Sequence, residues 1–339
     1  MKFTLLTTQM ACISATMMLG PVVSVGGQQP ESEPVFSIGA VADVQYADSP
    51  PRGDRTPRES PRRLQEAVDF FNAQGLDFVV NLGDFIDWDD IDYSVFPKET
   101  KPVEPVDWTH FETVDAIWQK IRAPRHHVLG NHDVYVPDRA SDGEKPARVL
   151  AKFGFKDKAY YDFSHKGFRF IMLDGTDRYM YSYPAGSPAY GEAKAYFDSI
   201  TTPARTPWNG AISDTQLAWL ADTLADATSK GEKVVVCCHF PIHDPVGGHT
   251  LLNFQETRDV LDRFPNVVLW LNGHNHAGGY ALANEGKPTQ RHHLNLMGMQ
   301  NADDRHYRLV FHPQKIEVFR AGNKLPERTM HFTSSQRQN

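Results

Sequence analysis

The chain has 339 residues, 40% of them apolar and 23% charged, with a formal net charge of -7. That length allows one large domain or two ordinary ones with a sizeable core, and the composition is that of an average globular protein. The negative balance leaves no basic footprint and argues against a nucleic-acid partner, while a small phosphate-bearing substrate stays open if metal ions supply positive charge.

Met1-Lys2 precedes Phe3 to Gly20, a stretch without charge, and the small residues Ser24 to Gly27 follow. One positive charge, an apolar run and a small-residue cleavage site match a secretory signal, expected at 1–27, with 28–34 as a linker. The run is short for a span and diluted by Thr and Ser; a core helix or a membrane anchor are the other readings. Export to the periplasm or the medium is expected, with no membrane span in the mature chain. Cys12 lies in this segment, and the adjacent Cys237 and Cys238 read as small core residues, because neighbouring cysteines rarely bridge.

Val35 to Ala42 reads as a first strand ending in Asp43-Val44-Gln45. A Pro- and Arg-rich loop follows. Ser60-Pro61 opens a helix with Leu64, Ala67, Val68 and Phe71 at helical spacing, and Gly75 closes it. A buried strand at 77–82 delivers Gly83-Asp84 and then Asp87. A helix near 108–121 and a strand at His127-Val128-Leu129 lead into Gly130-Asn131-His132-Asp133. This βαβαβ order predicts a parallel sheet with covering helices.

From 134 to 158 the chain reads as loop. Tyr160–Phe163 and Phe168–Leu173 read as a hairpin, and 175–210 as a long insertion where substrate selection is expected. Ser213-Asp214-Thr215-Gln216 is a capping box opening a helix with Leu217, Leu220 and Leu224 on one face. Lys233–His239 reads as a strand, a helix follows near 253–264, and Val267–Leu271 is a strand ending in Asn272-Gly273-His274-Asn275-His276. The alternating stretch 279–320 predicts antiparallel strands making a second sheet. The expected organisation is one two-sheet domain over 35–332, flanked by helices, and a tail at 333–339.

Five strand ends therefore carry Asp43-x-Gln45, Gly83-Asp84-x-x-Asp87, Gly130-Asn131-His132-Asp133, His239 and Gly273-His274-x-His276. Singly, each has an ordinary alternative in a turn, a polar strand end or a satisfied core histidine. Jointly, in this order and each after a buried strand, they point to a site at the carboxyl edge of a sheet, where ligands bind in open α/β folds. The donors are oxygen and imidazole without thiolate, a set that suits Mn²⁺ or Fe²⁺ and tolerates Zn²⁺ or Mg²⁺.

The five motifs resemble those of the calcineurin-like metallophosphoesterases: D-x-H/Q, G-D-x-x-D, G-N-H-D/E, H and G-H-x-H. Segments outside them are similar to the manganese-dependent ADP-ribose/CDP-alcohol diphosphatases, among them Val41 to Asp48, Asn209-Gly210 leading into Ser213-x-x-Gln216-Leu217-x-Trp219-Leu220, His274-x-His276-x-Gly278-Gly279-Tyr280, and Gly322 to Arg328. The resemblance covers about 35–330. It implies a two-sheet β-sandwich flanked by helices (αββα) with a dinuclear metal site at the strand ends. One ion would take Asp43, Gln45, Asp84 and His276, and the other Asp84, Asn131, His239 and His274. Gln45, where many relatives place histidine, tilts the first site toward Mn²⁺ or Mg²⁺. Trp88 stands where the protein phosphatases of the superfamily carry Arg, and Asp87 where purple acid phosphatases carry a Tyr ligand, which disfavours both.

Two-metal chemistry implies a hydroxide between the ions attacking phosphorus, with the catalytic pair His132 and Asp87 serving the leaving oxygen. Asp133 reads as structural. His243 and His249 are candidates for a pocket wall, and one of each pair His126-His127 and His292-His293 is expected to be buried and bonded. The reading is a monomeric or weakly oligomeric hydrolase; the resemblance implies that it cleaves the phosphoanhydride of ADP-ribose to AMP and ribose 5-phosphate, or of CDP-alcohols to CMP and a phosphoalcohol. A cyclic-nucleotide phosphodiesterase or phosphomonoesterase is the alternative within the same metal chemistry. A silent metallophosphoesterase fold acting as a scaffold stands behind both, because every motif position is filled.

Overall fold

The computed structural model describes residues 33–87, 108–134, 147–184, 186–243 and 248–337. The signal segment, most of the linker and Trp88 lie outside them, as do residues 135–146 of the loop after the third motif. Strand β1 (Phe36–Val41) is followed by α1 (Ser60–Gln74), β2 (Phe78–Asn81), α2 (Thr109–Trp118), β3 (Arg125–His127) and the single turn α3 (Asn131–Val134). Then come α4 (Ala147–Lys152), β4 (Tyr161–His165), β5 (Phe168–Met172), α5 (Pro188–Ser199), α6 (Asp214–Ser229), β6 (Lys233–Cys237), α7 (Phe254–Leu261) and β7 (Val267–Asn272). The chain finishes with β8 (Gly279–Ala283), β9 (Arg291–Asn295), β10 (His306–Phe311), β11 (Lys315–Arg320), β12 (Arg328–His331) and α8 (Ser334–Arg337).

Helix α1 begins at the Ser60-Pro61 step, where a missing N–H costs nothing, and ends at Gly75 with φ of 64°, a left-handed stop that glycine adopts without a Cβ penalty. Its apolar residues Leu64, Ala67, Val68 and Phe71 pack with Phe85, Phe111 and Trp118 on the outer face of the first sheet. Ser213 caps α6 by accepting the Gln216 N–H. The reciprocal half of the expected capping box is absent. The Gln216 amide instead bonds the Asp174 backbone and the Asp177 carboxylate, while the Ser213 N–H donates to Asp177. A buried glutamine beside the exit of β5 finds better partners there than at its own helix end.

Each sheet has six strands, in the orders β12-β11-β10-β1-β2-β3 and β4-β5-β6-β7-β9-β8. β1, β2 and β3 run parallel, as do β5, β6, β7 and β9. The two sheets face each other across a core that includes Phe36, Ile38, Phe78, Phe170, Leu269, Leu309 and Phe311. α6 and α7 cover the second sheet through Leu220, Leu224 and Leu261 against Val234, Val236 and Trp270. The αββα expectation holds.

Several details differ from the sequence reading, the helix α4 within the stretch read as loop among them. The late strands do not make a sheet of their own. β9 adds parallel to β7 and β8 antiparallel to β9, whereas β10 pairs antiparallel with β1, from Phe36↔Phe311 to Val41↔His306, and carries β11 and β12 with it. Alternation reveals local hairpins; it carries no information about which distant edge they join. β3 lies two residues earlier than expected, at Arg125–His127, because Val128 and Leu129 are buried in the exit from the sheet. The stretch read as a loop-like insertion contains α5, with Ser187 accepting from the Tyr190 N–H and Pro188 at its start. At the C-terminal end Gln336 is buried and donates to the carbonyls of Pro265 and Gln290, which fastens residues past 332 to the domain. Among the described residues no helix is long and apolar enough to cross a membrane.

Candidate metal centre

Beyond their last ladder bonds, β1 and β2 stay together for a few more residues. The Asp43 N–H donates to Gly83 O at 3.1 Å, Gln45 N–H to Asp84 O at 2.9 Å, and Asp87 N–H to Tyr46 O at 2.8 Å. Within this extension the backbone turns left-handed at Asp43 (φ 53°), Gln45 (φ 42°) and Asp84 (φ 54°), and His274 does the same (φ 71°) after β7. Non-glycine residues pay for that conformation, and it persists where the surroundings over-determine it. Here it turns the side chains off the alternating faces of the strands and toward one point. Glycine is obligatory beside them: a Cβ on Gly130 would sit 2.1 Å from Asp84 Oδ1, and one on Gly83 only 2.7 Å from Gly130 N.

Two groups of donors converge. Asp84, His239 and His274 form one; Asp43, Asp84 and His276 form the other, with Asp84 common to both. In the first, hydrogen bonds settle which nitrogens hold lone pairs. His239 Nδ1–H donates to Leu82 O at 2.8 Å, and His274 Nε2–H donates to Asn209 Oδ1 at 2.9 Å. The free nitrogens, His239 Nε2 and His274 Nδ1, then lie 3.1 Å apart, with Asp84 Oδ2 3.1 Å from His239 Nε2. Three acceptor atoms face one another, which is the arrangement a cation or a proton resolves. The Asp84 carboxylate, despite burial, draws His239 up to about 9, while burial and that neighbour hold His274 well below the usual imidazole range. Burial opposes ionisation of Asp84, yet His239 and His132 keep it well below the ordinary carboxylate range.

In the second group His276 Nε2 lies 3.3 Å from Asp43 Oδ1. Gln45 Nε2 donates to Asp84 Oδ2 at 2.9 Å, and its Oε1 is buried without a partner; so is Asn131 Oδ1. Buried unpaired carbonyl oxygens are costly, and two of them beside converging carboxylates and imidazoles fit a pair of divalent cations. Asp43, Asp84, His239, His274 and His276 thus gather in two groups that could each hold a metal ion, and the Gln45 and Asn131 side-chain oxygens are buried without a partner.

His132 and Asp87 form a separate pair. His132 Nδ1 is 2.8 Å from Asp87 Oδ1, its Nε2 is 3.9 Å from Asp84 Oδ2, and its backbone N–H donates to Asp84 Oδ1 at 2.8 Å. Burial lowers its pKa but the Asp84 and Asp87 carboxylates outweigh that, so it lies above the usual value; the charge of Arg55 pulls in the opposite direction. Asp133, fully buried, accepts from the backbone N–H groups of Gly130 (2.9 Å), Asp84 (2.9 Å) and Phe85 (2.7 Å). It ties the β2 and β3 exits together.

Sequence reasoning missed three contributors. Asn209 orients His274, its own amide fixed by donation to the carbonyls of Ala204 and Gly248. Its signal was the Asn209-Gly210 step within a segment similar to the diphosphatases, which assigned it no role. Gln300 Nε2 sits 3.2 Å from both ring nitrogens of His276, which places the amide over the ring face. Asn295 braces the metal loop, accepting from Asn272 Nδ2 and donating to Asn275 O. Of the other histidines, both members of each pair are engaged: His126 with Tyr161, His127 with Asn81, His292 with Tyr280 and His293 with Arg291. His249 approaches His274 with ring centroids 5.6 Å apart, whereas His243 faces His293.

A helix-flanked double sheet with oxygen and imidazole donors gathered at its strand ends is the frame of a dinuclear-metal hydrolase. The model of the calcineurin-like phosphoesterases matches residues 36–278, and the chain belongs to that family. Among its relatives, a manganese-dependent ADP-ribose/CDP-alcohol diphosphatase of Arabidopsis thaliana is 31% identical, the match covering 78% of this chain and 86% of the relative. The Mus musculus protein of the same name is 28% identical over 89% of this chain and 94% of its own. The crystal structure of a dimetal phosphatase from Danio rerio shares the fold with a TM-score of 0.72, at 24% identity, covering 89% of this chain and all of that one.

Proposed function

We propose that the chain is a manganese-dependent diphosphatase that hydrolyses the phosphoanhydride of ADP-ribose, CDP-alcohols or related nucleoside diphosphate compounds. The observation that carries this reading is the near full-length similarity to relatives bearing that activity in their name, joined to a donor set that fits hard divalent cations. Asp43, Gln45, Asp84 and His276 would hold one ion, and Asp84, Asn131, His239 and His274 the other. The ions supply Lewis acidity toward the phosphoryl oxygens and lower the pKa of the attacking water.

The protein supplies orientation and a proton. Asp84 would be shared by both ions; its Oδ1 accepts the His132 N–H, and its Oδ2 faces His239 and the Gln45 amide. His132 is oriented through Nδ1–H to Asp87, which leaves Nε2 to deliver a proton to the leaving oxygen. Against the lowering effect of burial, the Asp84 and Asp87 carboxylates favour the protonated ring. The protein is proposed to act as a monomer. Residues 1–27 are proposed as an export signal; full-length protein found in the cytosol after cell fractionation would contradict that.

Product chromatography tests the activity. Metal-stripped protein, resupplied with Mn²⁺, is incubated in parallel with ADP-ribose, CDP-choline, cyclic AMP and p-nitrophenyl phosphate. AMP and CMP from the first two, with little turnover of the others, is the expected result. Preferential turnover of the last two transfers the assignment to a phosphodiesterase or monoesterase.

A further inference from the structure

Of the four ligands proposed for the first ion, Asp43, Gln45 and Asp84 are buried, whereas 15% of the His276 side chain is exposed. The histidines proposed for the second ion are each oriented by a ring N–H given to an oxygen, His239 to Leu82 and His274 to Asn209. Among the described residues His276 has no such acceptor. Its Nε2 faces Asp43 Oδ1 at 3.3 Å, and its other polar neighbour is the Gln300 amide, whose Nε2 lies 3.2 Å from each ring nitrogen. An atom equidistant from both nitrogens stands above the ring, because in the ring plane it would strike Cε1. The NH₂ group therefore rests on the π face, a contact that is weak in energy but fixes the tilt of the ring. Gly298 packs against the carbon side of the same ring: a Cβ there would stand 3.0 Å from Cδ2 and 3.1 Å from Cγ.

Gln300 is itself held in place. It is fully buried, its N–H donates to Asp43 O at 3.1 Å, and its carbonyl accepts from the Thr56 N–H at 3.0 Å and from Arg63 Nη1 at 2.7 Å. The Gly298 N–H donates to His276 O at 3.0 Å. Residues 298–300 thus link the His276 loop, which leaves the second sheet, to Asp43, which leaves the first. Yet the Gln300 side chain is unfavourable for the fold, because its Oε1 is buried without a partner. An apolar side chain of similar size would avoid that desolvation penalty. Stability forgone beside a metal ligand points to a role in holding that ligand.

We propose that Gln300 is a positioning residue for the first ion: its amide holds the His276 ring with Nε2 toward Asp43, against the interest of fold stability, and leaves the second ion untouched. The proposal rests on the ligand sets assigned above and not on which anhydride is cleaved.

Calorimetric titration of the metal-stripped full chain with Mn²⁺, together with thermal unfolding in chelator, tests it. The parent should bind two ions, and the one lost in His276→Ala identifies the first. Gln300→Leu, and independently Gln300→Met, should weaken the first ion by roughly 10- to 100-fold and leave the second unchanged. In chelator both variants should melt at or above the parental temperature. In the His276→Ala background Gln300→Leu should change nothing further, because the ring it holds is gone. Parental affinity for both ions in both variants overturns the proposal, and so does equal weakening of the two ions or a further loss in the double variant. A melting temperature lowered in chelator in both variants makes Gln300 a packing residue and overturns it as well. A parent chain that binds fewer than two ions refutes the ligand sets, and the proposal falls with them.

Discussion

Asp133 belongs to the third motif yet is no ligand, and its replacement exposes how the centre is built. Its carboxylate receives four buried backbone N–H groups, three within 3 Å from Gly130, Asp84 and Phe85 and a longer one from Ile86. Hydrogen bonds to a charged group contribute about 1.5–3 kcal/mol each, and a buried donor left unpaired costs about 1–3 kcal/mol. With three close donors left unpaired, Asp133→Ala should therefore destabilise by roughly 3–9 kcal/mol, a large part of the stability of an ordinary domain. Asp133→Asn retains one oxygen but turns an NH₂ toward an N–H, at a cost of about 2 kcal/mol. One effect opposes this. Burial and the Asp84 charge push the Asp133 carboxyl up to about 7, so removing its charge also relieves strain. Bound cations would neutralise Asp84 and take away its share of that relief, leaving the part due to burial, so the two effects separate by experiment. Thermal unfolding of the variants, with Mn²⁺ and with chelator, should show the loss from Asp133→Asn to be larger in the metal-loaded protein, on the order of 5 °C. An unchanged or higher melting temperature for both variants in Mn²⁺ would refute the clamp.

Removing Asp84 by Asp84→Ala should abolish metal loading at both positions; elemental analysis showing two ions retained would make the shared-carboxylate assignment wrong. His132→Ala should leave the metal content intact and lower kcat by roughly 10² to 10⁴, whereas loss of metal in this variant would make it a structural residue. Stability should also depend on pH through His127, whose pKa burial, with His126 and Arg125, lowers to about 3. A depressed histidine stabilises the native state fully above its unfolded value near 6.5 and progressively less as pH falls toward the folded value. At pH 5 the loss is about 1–2 kcal/mol, discounted for partial exposure of the ring. His127→Phe should flatten the denaturant midpoint between pH 7 and 5, and an unaltered slope would count against a neutral buried ring.

What the sequence displayed was the set of residues that local chemistry singles out. Gly-Asp, Asn-His and Gly-His steps after apolar runs are visible without a fold, and the structure brings each of those positions to one edge. Long-range pairing was invisible: nothing in His306–Phe311 says that it lies against Phe36–Val41. The supporting shell was hidden for the same reason. Asn209 and Gln300 acquire their meaning only from His274 and His276, 65 and 24 residues away along the chain. Their amides look like any loop polar group until the ring they touch is known. The capping residue Ser213 could be read because it depends on neighbours three residues on; Gln216 could not, because its partners lie across a loop.

The distribution of the donors between the layers has a mechanical consequence. Asp43, Gln45, Asp84 and Asn131 leave the first sheet, while His239, His274 and His276 leave the second, and His239 Nδ1–H already reaches across to Leu82 O. Each proposed ion would then be a rivet through the seam of the sandwich. Slippage of one layer over the other would be registered first as a distorted coordination shell. By the same linkage, cations that bind only the assembled pair of layers resist their separation in proportion to the logarithm of metal concentration. In such an arrangement the catalytic edge is also a fastening of the fold, and scarcity of metal loosens both together.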